Sequence, residues 1–229
     1  MDQYSLDLIG HLSDFITENR LALFKEVLEE RTRYITVLLE DIYQSQNASA
    51  VLRTCDCTGI QDIHIVEQDN EYEINRDVAL GSNQWLSLHY YSKETENISV
   101  AVEALKNKGY RIVATSPHKE GQSPETLNLE KGKVALLFGT ELNGLSDKAL
   151  ELADEYLKIP MVGFTESYNI SVSAALALYV LRKRLESSAL DWKITEEEKN
   201  VLLLDWLRRN IKMSAQIEKK FRADHGSEF

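Results

Sequence analysis

The chain has no hydrophobic run long enough to cross a bilayer: its longest, 174–181, falls far short of the ~20 residues that a helical span requires. Its first residues, MDQYSLDLIG, carry neither a basic region nor an apolar stretch behind it, so nothing marks the chain for secretion and a cytoplasmic location is expected. Cysteine is scarce. Cys55 and Cys57 lie two apart in a helical pattern, where side chains at that spacing face different ways, so they make neither a C-x-x-C pair nor half of a zinc site. The five histidines are scattered without ligand spacing, and no metal is expected. Common catalytic signatures are missing too. No G-x-G-x-x-G follows the first strand pattern, and FGTELNG lacks the Lys-Ser/Thr of a triphosphate-binding loop. No Ser sits in G-x-S-x-G, and no Cys/His pair offers a nucleophile.

Net positive charge is absent as well. The formal balance is −11, which on its face argues against a polyanionic partner. The distribution softens this. From Arg182 to Phe229 there are eleven Lys and Arg against nine Asp and Glu, so this tail stands at +2 and the preceding residues at −13. A nucleic acid would have to be met by local patches.

What is present divides into three parts: a helical N-terminal extension over 1–33, a central domain over 34–187 and a helical C-terminal extension over 188–229. In the first, Leu6, Ile9, Leu12, Phe15 and Ile16 recur at helical spacing, as do Leu21, Phe24, Val27 and Leu28. Its interspersed Arg20, Lys25, Arg31 and Arg33 suit a solvated face better than an RNA-contacting arm. In the centre, strand and helix alternate: strands are expected over 35–43, 63–66, 86–91, 110–115, 134–138 and 156–159. Helices are expected over 48–57 and 98–108, from Asp147 behind a Ser146 cap, and from about 170 to 185, with Gly109 as a left-handed cap. That order predicts an α/β fold with a largely parallel sheet and helices on both faces. In the C-terminal extension, SSALDW reads as a linker, Thr195 as a helix start with three glutamates behind it, and 206–222 as one helix. The last carries six basic residues and one acid with Trp206, Ile211 and Phe221 interleaved, a pattern that suits RNA phosphates about as well as a partner helix.

A sheet of this kind holds its ligand beyond the carboxyl ends of its strands. Polar residues gather there: Asn47 and Arg53 after the first strand, Thr115 at the end of a later one, Gly139-Thr140-Glu141 after Phe138, and Ser167 to Asn169 after the last. Pro160 closes that last strand, and Asn169 or Ser171 is placed to cap the helix that follows, whose Ser171, Ser173, Ala174, Ala175 and Ala177 allow close backbone approach. The set can bind and orient, but it offers no covalent nucleophile.

Three segments, QNASAVLRTCDCTGIQDIHIV, ALLFGTELNGLSD and IPMVGFTESYNISVSAALALY, resemble in order, spacing and residues the motifs of the SpoU (SPOUT) family of RNA ribose 2′-O-methyltransferases. With the AL-GSN-QW stretch at 79–85 and the two extensions, the likeness is to the TrmH type, which modifies a guanosine in the tRNA D-loop. The resemblance implies a deep trefoil knot, bound S-adenosylmethionine, an obligate homodimer and a tRNA substrate. The knot runs against general chain-topology rules and rests on the family alone. Position by position, Thr115, Gly139, Ile159, Met161 and Tyr168 match residues that hold the cofactor, mostly through backbone groups. Asn47, Arg53, Glu141, Ser167 and Asn169 match the catalytic and substrate positions, and Arg53, Arg182, Lys183, Arg208 and Arg209 are the expected RNA contacts. A guanidinium is protonated at neutral pH and has no lone pair to spare, so Arg53 is expected to clamp phosphate and stabilise a developing 2′-oxyanion rather than act as a base. Ribosomal RNA or another tRNA position is the alternative substrate, and a non-catalytic RNA-binding protein is the alternative class.

Overall fold

The computed structural model describes residues 1–70, 74–93, 95–140 and 142–225. Two compact units divide the chain, one of Met1–Arg31 with Lys193–Phe229 and one of Thr32–Trp192. The second contains a six-stranded sheet built from β1 (Ile35–Glu40), β2 (Asp62–Val66), β3 (Ser87–Tyr91), β4 (Arg111–Thr115), β5 (Val134–Phe138) and β6 (Glu155–Leu157). The spatial order is β3-β2-β1-β5-β4-β6 and every pairing is parallel. The central strands ITVLLE and VALLF lack a polar alternation because both of their faces are buried.

Helices cover the two faces. Ile35, Val37 and Leu39 share one apolar cluster with Leu52 of α3 (Ser45–Cys57) and Leu178 of α7 (Ile170–Glu186). Leu38, Ala135 and Leu137 share the other with Leu105 of α5 (Asn97–Asn107) and Ala149 of α6 (Asp147–Leu152). The expected parallel α/β architecture is therefore the observed one, with a short further helix, α4 (Arg76–Ala79), between β2 and β3. Gly109 adopts φ 81 behind α5, and Ser146 caps α6 through the Ala149 amide. Of the two candidate caps for α7, Asn169 is the one used, accepting from the Ser171 amide.

Strand β1 stops three residues earlier than the apolar pattern suggests. Asp41 turns the chain with φ 54, and its Oδ1 accepts from the amides of Gln68, Asp69 and Asn70 at 2.9, 2.8 and 2.8 Å. Three satisfied donors offset the cost of a left-handed non-glycine residue; burial pushes the carboxyl up, but these amides and the Asn70 side chain together outweigh it and hold it low.

At the β2–β3 end of the sheet, His64 is buried, with Nδ1 2.8 Å from the Tyr91 hydroxyl and its ring stacked 4.6 Å from that of His89. His89 in turn lies 3.1 Å from Asp62, which also accepts from Arg33 Nε at 2.7 Å. Burial pushes His64 down to about 3, with His89 adding to the effect. Because the unfolded chain takes up this proton near 6.5 and the folded chain does not, stability should fall as pH drops between 6.5 and about 3. The expected slope from this group is about 1.4 kcal/mol per pH unit. Urea unfolding at pH 7 and pH 4.5 should show a smaller acid loss for His64→Leu than for the natural chain; parallel losses would remove His64 as the cause.

The helical unit contains α1 (Gln3–Ser13), α2 (Glu18–Leu28), α8 (Glu196–Asn210) and α9 (Ser214–His225). Thr195 and Glu198 form a reciprocal capping box at the start of α8. Trp206 is buried against the Phe24 ring edge and beneath the Arg31 guanidinium. The single helix expected over 206–222 is broken: Ile211 leaves helical geometry to bury its side chain, and Met213 takes φ 65. The turn lets Phe221 stack on His11 and lie against Tyr4, so the basic residues are split between two helices rather than aligned on one. Among the described residues, no helix is long and apolar enough to cross a membrane.

Candidate active site

The carboxyl ends of β4, β5 and β6 open into a cleft of about 250 Å³. Thr115, Gly139, Ile159, Met161 and Tyr168 all line it, as does Ser167. Its walls also include Phe138, Leu145, Leu157 and Ile170, which give it an apolar floor. The Thr115 hydroxyl is already committed, donating to the Leu137 carbonyl at 2.7 Å and tying β4 to β5. Ile159 and Met161 differ: among the described residues neither enters a backbone hydrogen bond, so their N–H and C=O groups remain open. An apolar slot bordered by open peptide groups fits a purine, whose edge alternates donors and acceptors.

Gly139 is required by its own loop. A Cβ there would lie 2.1 Å from the carbonyl carbon and oxygen of Gly144 and 2.2 Å from the Leu145 amide nitrogen. The loop closes on itself through paired bonds between Thr140 and Gly144, at 2.9 and 3.0 Å. The close approach at Gly139 is thus one of backbone to backbone.

Beside the cleft, the starts of α3 and α7 meet. Asn169 Nδ2 donates to Asn47 Oδ1 at 3.1 Å, while Asn169 Oδ1 accepts from the Ser171 amide and hydroxyl at 2.8 and 2.6 Å. Two residues separated by 122 positions are therefore held as one polar pair. Arg53 is exposed on α3 and makes no ion pair with any described residue. Glu141 lies outside the described residues.

The expected RNA contacts divide. Arg182, expected to meet RNA, is only 7% exposed, with Nε 3.0 Å from Glu186 and its guanidinium 4.0 Å from the Trp192 ring centre, so here it is a packed side chain. Lys183 pairs with Glu186 at 2.7 Å, Arg209 with Asp205 at 2.6 Å, and Arg208 grips Glu218 through two bonds at 2.8 and 2.9 Å. Lys183 and Arg209 would each have to exchange a partly exposed ion pair for phosphate, a modest cost, whereas Arg208 would have to leave a two-bond pair whose Glu218 is mostly covered. The sequence reading missed Ser116, His118 and Lys119, which line the cleft after β4, and Asn143 and Ser173 opposite them. Their position at a strand's carboxyl end was the available signal for the first three.

Fold and site together define a parallel α/β domain with a ligand cleft at its carboxyl edge and a separate polar pair beside it. The sequence matches the SpoU rRNA Methylase family over residues 34–179, and the chain belongs to that family. A tRNA (guanosine(18)-2'-O)-methyltransferase of Borreliella burgdorferi is 46% identical over 222 residues, spanning 95% of this chain and 98% of that protein. The enzyme of the same name from Thermus thermophilus is 35% identical, over 84% of this chain and 98% of its own. Among solved structures, the TrmH/SpoU tRNA modifying enzyme of Aquifex aeolicus superposes with a TM-score of 0.75 at 29% identity, covering 85% of this chain and 98% of that one.

Proposed function

We propose that this chain transfers a methyl group from S-adenosylmethionine to the ribose 2′-hydroxyl of a guanosine in the tRNA D-loop. The observation that carries the reading is the cleft, where Thr115 at the end of β4, Gly139 of the second motif and Ile159, Met161 and Tyr168 of the third line one apolar slot with open peptide groups, beside the Asn47–Asn169 pair. The names and coverage of the relatives support the same reading.

Ile159 and Met161 would hold the adenine edge through their backbones, with Tyr168 and Leu157 closing on its faces. The cofactor, when bound, supplies a methyl on a sulfonium, a strong electrophile that needs alignment more than activation. Arg53 would clamp an RNA phosphate and stabilise the developing 2′-oxyanion, while a phosphate oxygen or water takes the proton. Asn47, Asn169, Ser167 and Glu141 would orient the ribose. Lys183, Arg208 and Arg209 remain as phosphate contacts. Such a substrate places the work in the cytoplasm.

The working unit in this reading is a knotted homodimer, with helical extensions over 1–33 and 188–229 flanking the methyltransferase domain. In support of the knot, the chain leaves the edge strand β6 and returns to pack α7 on α3, while Arg184 reaches the Pro124 carbonyl of the long β4–β5 connection at 2.7 Å. In support of the dimer, Val172, Leu176 and Tyr179 share one exposed face of α7 at spacings of four and three.

The test is methyl transfer from labelled S-adenosylmethionine to unmodified tRNA and, separately, ribosomal RNA, with the product nucleotide mapped. A 2′-O-methylguanosine in the D-loop is expected. Label in ribosomal RNA alone would overturn the substrate, and bound cofactor without transfer to either would favour a non-catalytic RNA-binding protein.

A further inference from the structure

Glu40 is the last residue of the central strand β1, one position beyond the Leu39–Phe138 pair and therefore level with the start of the 139–145 loop. Its side chain is 6% exposed and lies on the face occupied by Leu38, Val66, Ala135 and Leu137. Among the described residues no cation pairs with it. Oε2 accepts from the Ser146 amide at 2.8 Å and Oε1 from the Ser146 hydroxyl at 2.6 Å. Burial pushes the carboxyl up, Asp41 adds to that, and the two Ser146 bonds pull it down. A leucine at this place would join the apolar cluster without any desolvation cost, so a buried carboxyl held, among the described residues, only by Ser146 needs another reason.

The loop supplies one. It lines the cleft with Thr140, Leu142, Asn143 and Gly144. Its near end is closed by the Thr140–Gly144 pair, and its far end is Ser146, which Glu40 holds by two bonds. The same Ser146 oxygen accepts from the Ala149 amide at 3.1 Å, so one carboxylate fixes the loop's exit and the first turn of α6. We propose that Glu40 is a positioning residue that sets cofactor affinity by holding the cleft loop through Ser146; this rests on the methyltransferase reading. It acts through the loop and touches neither RNA nor cofactor.

Glu40→Leu keeps the size and apolar fit but removes both acceptors. In the full-length chain, calorimetric titration should show S-adenosylmethionine bound at least tenfold more weakly, with the KM for tRNA within twofold of the natural value. Glu40→Gln should recover most of that loss, because its amide oxygen can take the Ser146 N–H while its NH2 donates to the hydroxyl oxygen. Ser146→Ala should weaken cofactor binding similarly, and adding Glu40→Leu to it should weaken it little further. If Glu40→Leu does not fold, Ser146→Ala and Glu40→Gln decide the matter. Unaltered cofactor affinity in Glu40→Leu or Ser146→Ala, an affinity of Glu40→Gln as weak as that of Glu40→Leu, or an equal rise in both KM values overturns the proposal while leaving the methyltransferase reading intact. A natural chain that binds no S-adenosylmethionine overturns that reading and the proposal with it.

Discussion

Gly139→Ala is expected to weaken S-adenosylmethionine binding by about a hundredfold or more while the sheet stays folded. The new Cβ would stand 2.1 Å from the carbonyl carbon and oxygen of Gly144 and 2.2 Å from the amide nitrogen of Leu145. These are backbone atoms, so no rotamer change relieves the overlap. Overpacking of this kind costs about 1–3 kcal/mol even where side chains can adjust, and each 1.4 kcal/mol is about tenfold in affinity. The strain would be released by displacing Thr140, Leu142, Asn143, Gly144 and Leu145, which wall the cleft. Gly144 provides the contrast. It sits at φ 68, but a Cβ there meets nothing within 4 Å, so Gly144→Ala carries only the cost of a left-handed alanine, about 1 kcal/mol. Calorimetric titration of both variants should therefore separate them by roughly tenfold or more; equal affinities would show that the loop yields easily at Gly139.

The contrast also marks where the sequence was legible. The VALLF run, the Ser146 cap and the Gly109 turn are local features whose physics is complete within a few residues, and each lies where periodicity and capping rules put it. The same rules failed where a distant partner decides. Strand β1 ends early because Asp41 captures amides 27 to 29 positions away. The basic 206–222 stretch breaks because Ile211 is buried and Phe221 turns back to His11 and Tyr4. Arg182 reads as one more surface cation until Trp192 and Glu186 enclose it. For the cleft, spacing alone placed polar residues at strand ends, and the motif resemblance selected which to group. Neither could reveal Glu40, whose partner is 106 residues away, or the Asn47–Asn169 contact.

The Arg53 variants should show the largest effect on turnover with the smallest effect on the fold. Helix α3 buries Ala48, Val51, Leu52 and Cys55 and leaves Arg53 on its exposed side. Removing a side chain from that side deletes little packing, so thermal unfolding of Arg53→Ala should match the natural chain within a degree or two. Cofactor affinity should also hold, since Arg53 is not among the residues lining the cleft. If the guanidinium grips phosphate and steadies the developing oxyanion, its loss should lower methyl transfer by about 10²–10³, the magnitude associated with one well-placed donor to an oxyanion. Arg53→Lys discriminates further. A lysine restores the charge but not the paired, planar donors that meet two phosphate oxygens at once. A clamp therefore predicts that the Lys variant recovers binding to tRNA better than it recovers turnover, with kcat remaining well below the natural value. A Lys enzyme that keeps most of its turnover would show that charge alone suffices and that the bidentate geometry is dispensable.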